Sequence, residues 1–233
     1  RSLDTLSPQY SISRSSSNYW LESYYLWSGI PDVYSNDYVG GLFEDIKWGY
    51  AEPDAGEITN ISYYLYDEES VDYDSETILV GQPLHEKERA AILSSMEAFA
   101  SVAGLTFVEA SDKEDANISF LMMDNEDSDG YLGWANYPET SPYGYTYSTV
   151  NNELYDLDID PDAVDPGSYY YLTFTHELGH AMGMGHPHDG DTQFPGVSFD
   201  GTDEGGDNNL NATPWSVLTY NDVTATNGLS PSY

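Results

Sequence analysis

Residues 176–187 read HELGHAMGMGHP and place three of the chain's five histidines within eleven positions. On a helix His176 and His180 stand one turn apart, so both imidazoles leave the same face and can meet one ion. Glu177 is turned by about 100° from His176. That offset puts a carboxylate beside the ion, where it can hold a water as a base without ligating. Gly183 can adopt the left-handed conformation that ends a helix, letting Met184 and Gly185 carry His186 back toward the first two rings. Three protein nitrogens and one open position describe a catalytic zinc site. Structural zinc is usually closed by four protein ligands, often cysteines, and this chain has no cysteine.

The run follows the pattern HExxHxxGxxH and resembles the metzincin signature of zinc proteases, which is completed by a later tight turn. Pro187, directly after the third histidine, resembles the serralysin branch of secreted bacterial proteases. Residues 215–220, WSVLTY, resemble that branch's Met-turn, with Leu218 where methionine is usual. Leucine fills a similar volume, and such exchanges usually cost under about 1.5 kcal/mol, so an intact site is expected. The resemblance implies His176, His180 and His186 as zinc ligands and Glu177 as general base. It also implies that Tyr220 is the tyrosine whose phenol reaches the developing oxyanion, or the zinc as an additional ligand. With 22 tyrosines in the chain, only its offset from Leu218 singles it out.

The implied fold is α+β and zincin-like: a mixed twisted sheet with an antiparallel edge strand, an active-site helix and a backing helix. The zinc lies in a cleft between N- and C-terminal subdomains. Residues 40–233 form the expected catalytic domain, with an upper part of about 40–183 and a lower part of about 184–233. Residues 1–39 form an extension packed on it.

Composition narrows the setting. The chain has 233 residues and 39% apolar content, enough for a core of its own. Its 41 acidic residues against 6 basic ones give a formal net charge of −35, which repels nucleic acid and anionic membranes. Carboxylate spread along the whole chain suits high salt or abundant calcium, whose counterions screen self-repulsion. Calcium is therefore expected as a structural ion beside the zinc. No stretch approaches the roughly 20 apolar residues of a membrane span. The opening RSLDTLSPQY has neither an apolar signal core nor an initiator methionine, as in a processed or excised fragment. Serralysins carry glycine-rich calcium repeats of the form GGxGxDxUx behind the catalytic domain, and none is found here. The resemblance and the acidity together point to a monomer secreted by a bacterial or archaeal source in marine or halophilic surroundings, acting on proteins and peptides.

Along the chain, Trp20, Tyr24 and Trp27 within 15–29 fall at helical spacing and are expected to pack an N-terminal helix. The stretch GGLFEDIKWGY (40–50), followed by the strand-like ITNISYYLYD (58–67), resembles the serralysin entry into its catalytic domain. Residues 52–57 read as a turn, and the acid-rich 68–76 as a solvated loop. A helix is expected over 83–103, with Pro83 in its first turn, glutamates at its positive end and Ile92, Met96, Phe99 and Ala103 on one face. LTFVEA (105–110) alternates as a half-buried strand, and ANISFLMMD (116–124) does so less cleanly. In the resembling family the latter position is the edge strand that an extended substrate pairs with, which implies broad specificity. The zinc helix is expected from Leu172 or Thr173 to Met182. Acidic runs at 125–130, 156–167 and 188–209 are candidate calcium loops, with solvated loops as the plain alternative. His85 and His188 are left out of the site.

Two other readings stay open: a non-catalytic calcium-binding or adhesion module on a protease-like fold, and a zinc hydrolase acting on other bonds. The charge pattern gives one direct expectation. Melting temperature should be lowest in dilute buffer with a chelator and rise with salt or calcium; identical melting across those conditions would remove the counterion argument.

Overall fold

The computed structural model describes residues 10–12, 24–26, 42, 46–47, 59–67, 71–72, 78–79, 81–124, 130–138, 146–189, 193–213 and 215–221. Three short antiparallel strands, β1 (Tyr10–Ile12), β2 (Tyr24–Leu26) and β3 (Ile46–Lys47), form a sheet with β2 in the middle. The expected helix over 15–29 is therefore a strand at Tyr24–Leu26. Consecutive aromatic residues fit a pleated surface better than a helix, where their χ1 freedom is lost. Trp20 and Trp27 lie outside the described residues, as does Trp48.

The main sheet begins with β4 (Thr59–Leu65). A small antiparallel pair follows, β5 (Val71–Asp72) with β6 (Ile78–Leu79), so the acid-rich 68–76 segment is not all loop. Then come β7 (Gly81–Gln82), helix α1 (Glu86–Val102), β8 (Leu105–Glu109), β9 (Ile118–Met123), β10 (Gly133–Ala135), β11 (Thr146–Asn151) and helix α2 (Tyr169–Ala181). The sheet order is β10-β11-β9-β4-β8, with β7 also paired to β9. Strands β8, β4, β9 and β11 run parallel, while β10 on β11 and β7 on β9 are antiparallel. This is the expected α+β arrangement, a mixed sheet with an antiparallel edge strand.

Strand β9 corrects one expectation. It is interior, bonded along its length to β11 and on its other side to β4 and β7, and all six of its residues are buried. Ile118, Phe120 and Met122 face the helices with Ile61, Tyr63 and Leu65 of β4. Leu121 and Met123 face the opposite side, packed with Tyr64, Tyr66 and Trp134. A strand covered on both faces reads as a continuous apolar run, which explains its imperfect alternation. The edge strand beside α2 is β10.

Helix α1 starts three residues later than expected. Pro83 precedes the cap, and His85 is the N-cap: its Nδ1 accepts from Lys87 N at 3.1 Å, while Glu88 Oε2 accepts from His85 N at 2.7 Å. Tyr155 donates to the other oxygen of the buried Glu88 at 2.6 Å. Ile92 and Met96 are buried and Phe99 packs against the core, as the spacing predicts, whereas Ala103 is exposed. Helix α2 starts earlier than expected, at Tyr169, because Ser168 caps it by accepting from Tyr171 N at 3.2 Å. The two helices meet through apolar residues and two hydroxyl pairs, Ser94 with Tyr171 at 3.0 Å and Ser95 with Thr175 at 2.9 Å.

Of the acidic runs, 125–130 is described only at Gly130. In 156–167, Asp156 and Asp160 cap their own turns by accepting from Asp158 N and Asp162 N, and Asp162 and Asp165 hold Lys87 at 3.3 and 2.9 Å.

Candidate metal centre

Helix α2 carries His176, Glu177 and His180, and its C-terminal end delivers His186. Met184 N donates to Gly179 O at 3.0 Å and Gly183 N to His180 O at 2.9 Å, with Gly183 at φ +91°. That is the Schellman ending expected of the glycine. Gly185 N donates to Leu42 O at 3.0 Å, tying the returning chain down.

Each of the three imidazoles spends its Nδ1 outside the centre. His176 Nδ1 donates to Val217 O at 2.8 Å, His180 Nδ1 to Met184 O at 2.7 Å, and His186 Nδ1 to Asp189 Oδ2 at 2.6 Å. A carbonyl or carboxylate partner fixes the proton on Nδ1. The three Nε2 atoms then face one another as bare lone pairs, separated by 3.0, 3.0 and 3.2 Å. Burial, the dominant cause, pushes His176 down to about 4 and His180 down to about 3, so both rings stay neutral near pH 7. Three imidazole nitrogens at this spacing fit a cation: a tetrahedral zinc with bonds of about 2.0–2.1 Å has edges of roughly 3.3 Å. All three predicted histidines are thus brought together.

Glu177 is 4% exposed, and burial alone pushes its carboxyl up to about 8. A dication beside it favours the carboxylate again. Its Oε2 finds no hydrogen-bond partner among the described residues, as suits a group kept for a ligand. Strand β10 passes directly over it. A Cβ on Gly133 would stand 2.9 Å from Glu177 Cγ and 2.5 Å from Thr149 O, so only glycine lets the edge strand approach this closely.

The turn at 215–221 lies beneath the helix. Leu218 is buried, and its Cδ2 would stand 2.8 Å from a Cβ on Gly179, so it fills the floor under the histidines. Val217, beside it, supplies the carbonyl that orients His176. Tyr220 is 61% exposed and its ring lies over the centre, 5.8 Å from His176 and parallel within 16°, and 4.7 Å from His186. Burial, with the nearby charges of Glu177 and Asp189, pushes its phenol up to about 12, so it is a donor at neutral pH.

Three residues join the site that sequence reasoning misses. Asp189 orients His186; a carboxylate three positions after the third histidine is a readable signal for that. Gly133 could not be found from sequence, because its role depends on how the edge strand lies over α2. His188 is left out on sequence grounds, yet its ring is buried and stacks on His186 at 5.0 Å.

Gly133→Ala should lower stability by about 1–3 kcal/mol through overpacking, read as a melting temperature several degrees lower, and should impair zinc uptake and turnover. An alanine variant with unchanged melting and turnover would show that the edge strand is not pinned here.

Residues 79–194 match the peptidase M10 family Matrixin. A serralysin of Photorhabdus luminescens is 30% identical over 146 residues, covering 62% of this chain and 29% of the relative. Serralysin B of Dickeya chrysanthemi is 35% identical over 104 residues, covering 40% of this chain and 19% of its own length. The matched part of the chain thus spans less than a third of these relatives. Among solved structures, myroilysin aligns at 18% identity with a TM-score of 0.41, over 66% of this chain and 59% of that one. Through residues 79–194 the chain thus carries a serralysin-like peptidase M10 metalloprotease domain.

Proposed function

We propose that this chain is a zinc-dependent endopeptidase that hydrolyses peptide bonds in proteins, with His176, His180 and His186 as the zinc ligands. The observation that carries the reading is the convergence of three Nε2 atoms, 3.0–3.2 Å apart, beside the buried carboxyl of Glu177. When bound, the zinc supplies Lewis-acid polarisation of the scissile carbonyl and lowers the pKa of a water toward about 7.

The chain's own residues do the rest. On the β10 edge Gly133 and Ala135 offer backbone donors and acceptors with which an extended substrate pairs as a further strand, reading main chain rather than sequence, while Trp134 turns its own N–H and C=O to Thr149 Oγ1. Specificity is accordingly broad. Glu177 accepts a proton from the attacking water and returns it to the leaving amine nitrogen, so one carboxyl serves both steps. Its burial behind β10 keeps bulk solvent from competing for that proton. Tyr220, protonated and lying over the ligand rings, donates to the carbonyl oxygen as negative charge develops. Asp189, Val217 O and Met184 O hold the three imidazoles in one tautomer throughout.

Beyond the reaction, we read residues 40–233 as the catalytic domain, with 1–39 as an extension on it. The chain is read as a secreted monomer, by its resemblance to the serralysins, with calcium as a structural ion on its carboxylate-rich loops. Among the described residues no helix is long and apolar enough to cross a membrane.

Glu177→Gln should still take up one zinc per chain but lose about 10²–10⁴-fold in kcat on casein. Tyr220→Phe should lose about 10²-fold in kcat with little change in KM. A zinc-loaded Glu177→Gln protein that retains its activity would remove Glu177 as the base, and an unaffected kcat would remove Tyr220 from the reaction.

A further inference from the structure

The three imidazoles are not held equally. His176 and His180 project from a helix and donate to backbone carbonyls, which cannot rotate away. His186 sits beyond the helix end and donates to a carboxylate, Asp189, whose side chain is 34% exposed and has rotamers of its own. Something else must restrain the plane of this ring.

We infer that His188 is a positioning residue whose ring face holds the plane of His186 and the resting place of Tyr220, and so retains the zinc. The His188 ring lies 5.0 Å from that of His186 and parallel to it within 13°. It lies 4.8 Å from Tyr220, whose ring also touches His186 at 4.7 Å. His188, His186 and Tyr220 thus form a closed triangle of rings, of which only His188 is neither a proposed ligand nor a proposed donor. It is well placed to act as a wall. It is 3% exposed, and its carbonyl accepts from Asp200 N at 2.8 Å. Pro187 fixes one backbone torsion between the two histidines.

The choice between ring face and ring nitrogen can be made. His188 Nδ1 is buried and finds no hydrogen-bond partner among the described residues. A side chain kept for its hydrogen bonds would not leave a buried nitrogen unpaired, since that costs stability. His186, His188 and Asp189 also bring ligand atoms within 4.8 Å of one another, so zinc stoichiometry is read in the same test: more than one zinc per chain would make His188 a ligand and overturn the ring-face role. What remains is the aromatic surface, which aromatic packing favours beyond simple burial.

The inference rests on the zinc reading, and the test separates the two. The wild-type chain, His188→Phe and His188→Leu are loaded with zinc, and release is followed with an excess of a chromophoric chelator, alongside kcat and KM on casein. Both variants fill the site, but only phenylalanine restores a flat aromatic face. His188→Phe should release zinc within about twofold of wild type and melt no lower when metal-free, because the unpaired nitrogen is gone. His188→Leu should release zinc roughly three- to tenfold faster, with kcat lowered and KM little changed. Equal release from all three proteins, or equally fast release from both variants, would overturn the role of the ring face. A wild type that takes up no zinc would sink the metal reading itself, and this inference with it.

Discussion

Everything at this centre depends on where three protons are. Each histidine gives its Nδ1 proton to an oxygen on the periphery: a carbonyl of the lower turn, a carbonyl of the helix end, and a carboxylate of the following loop. Only with all three committed do the Nε2 lone pairs meet without a proton between them. Without a cation such an arrangement is mutually repulsive, and with one it is a coordination sphere. The oxygens are thus as much part of the site as the rings, and they come from three separate segments. The fold must register all three against α2.

The sheet and helices supply that register. Strand β9, buried on both faces, is the slab on which α1 and α2 pack, so α2 cannot slide without opening the main core. Glycine appears where backbones must come closest: Gly133 in the edge strand over Glu177, and Gly179 over Leu218. The lower turn is secured independently. Thr219 donates to Asn211 Oδ1 at 2.5 Å, and Asn211 and Asn221 both donate to Glu204 O, at 2.8 and 3.3 Å. This buried polar clasp fixes the stretch that presents Val217 O and Tyr220. Buried polar groups of this kind are stabilising only when fully satisfied, which makes the clasp specific in shape.

The legibility of the sequence follows the range of the interactions involved. The His176–His186 run was readable because helix periodicity and one positive-φ glycine fix its geometry locally. Leu218 and Tyr220 were readable only as a resemblance at a fixed offset, since nothing local says that a turn lies under a helix. The α+β class and the strands at 59–65, 105–109 and 118–123 could be read from pattern, but the place of β9 in the sheet could not. A run buried on both faces and a half-buried edge strand differ in their partners more than in composition. Helix starts were misplaced by three or four residues because Ser168 and His85 act as caps, and histidine is an unusual choice there. The strand at Tyr24–Leu26 was missed because the helical spacing of Trp20, Tyr24 and Trp27 was weighed above the consecutive Tyr24 and Tyr25, which favour a strand. His188 escaped because stacking depends on where a loop folds back.

The most direct test is zinc K-edge X-ray absorption on the purified, zinc-loaded chain. The account predicts a four-coordinate ion with three imidazole nitrogens at about 2.0–2.1 Å and one further light ligand at a similar distance. Fewer than three imidazoles, or a six-coordinate shell of oxygens from the carboxylate-rich loops, would contradict it.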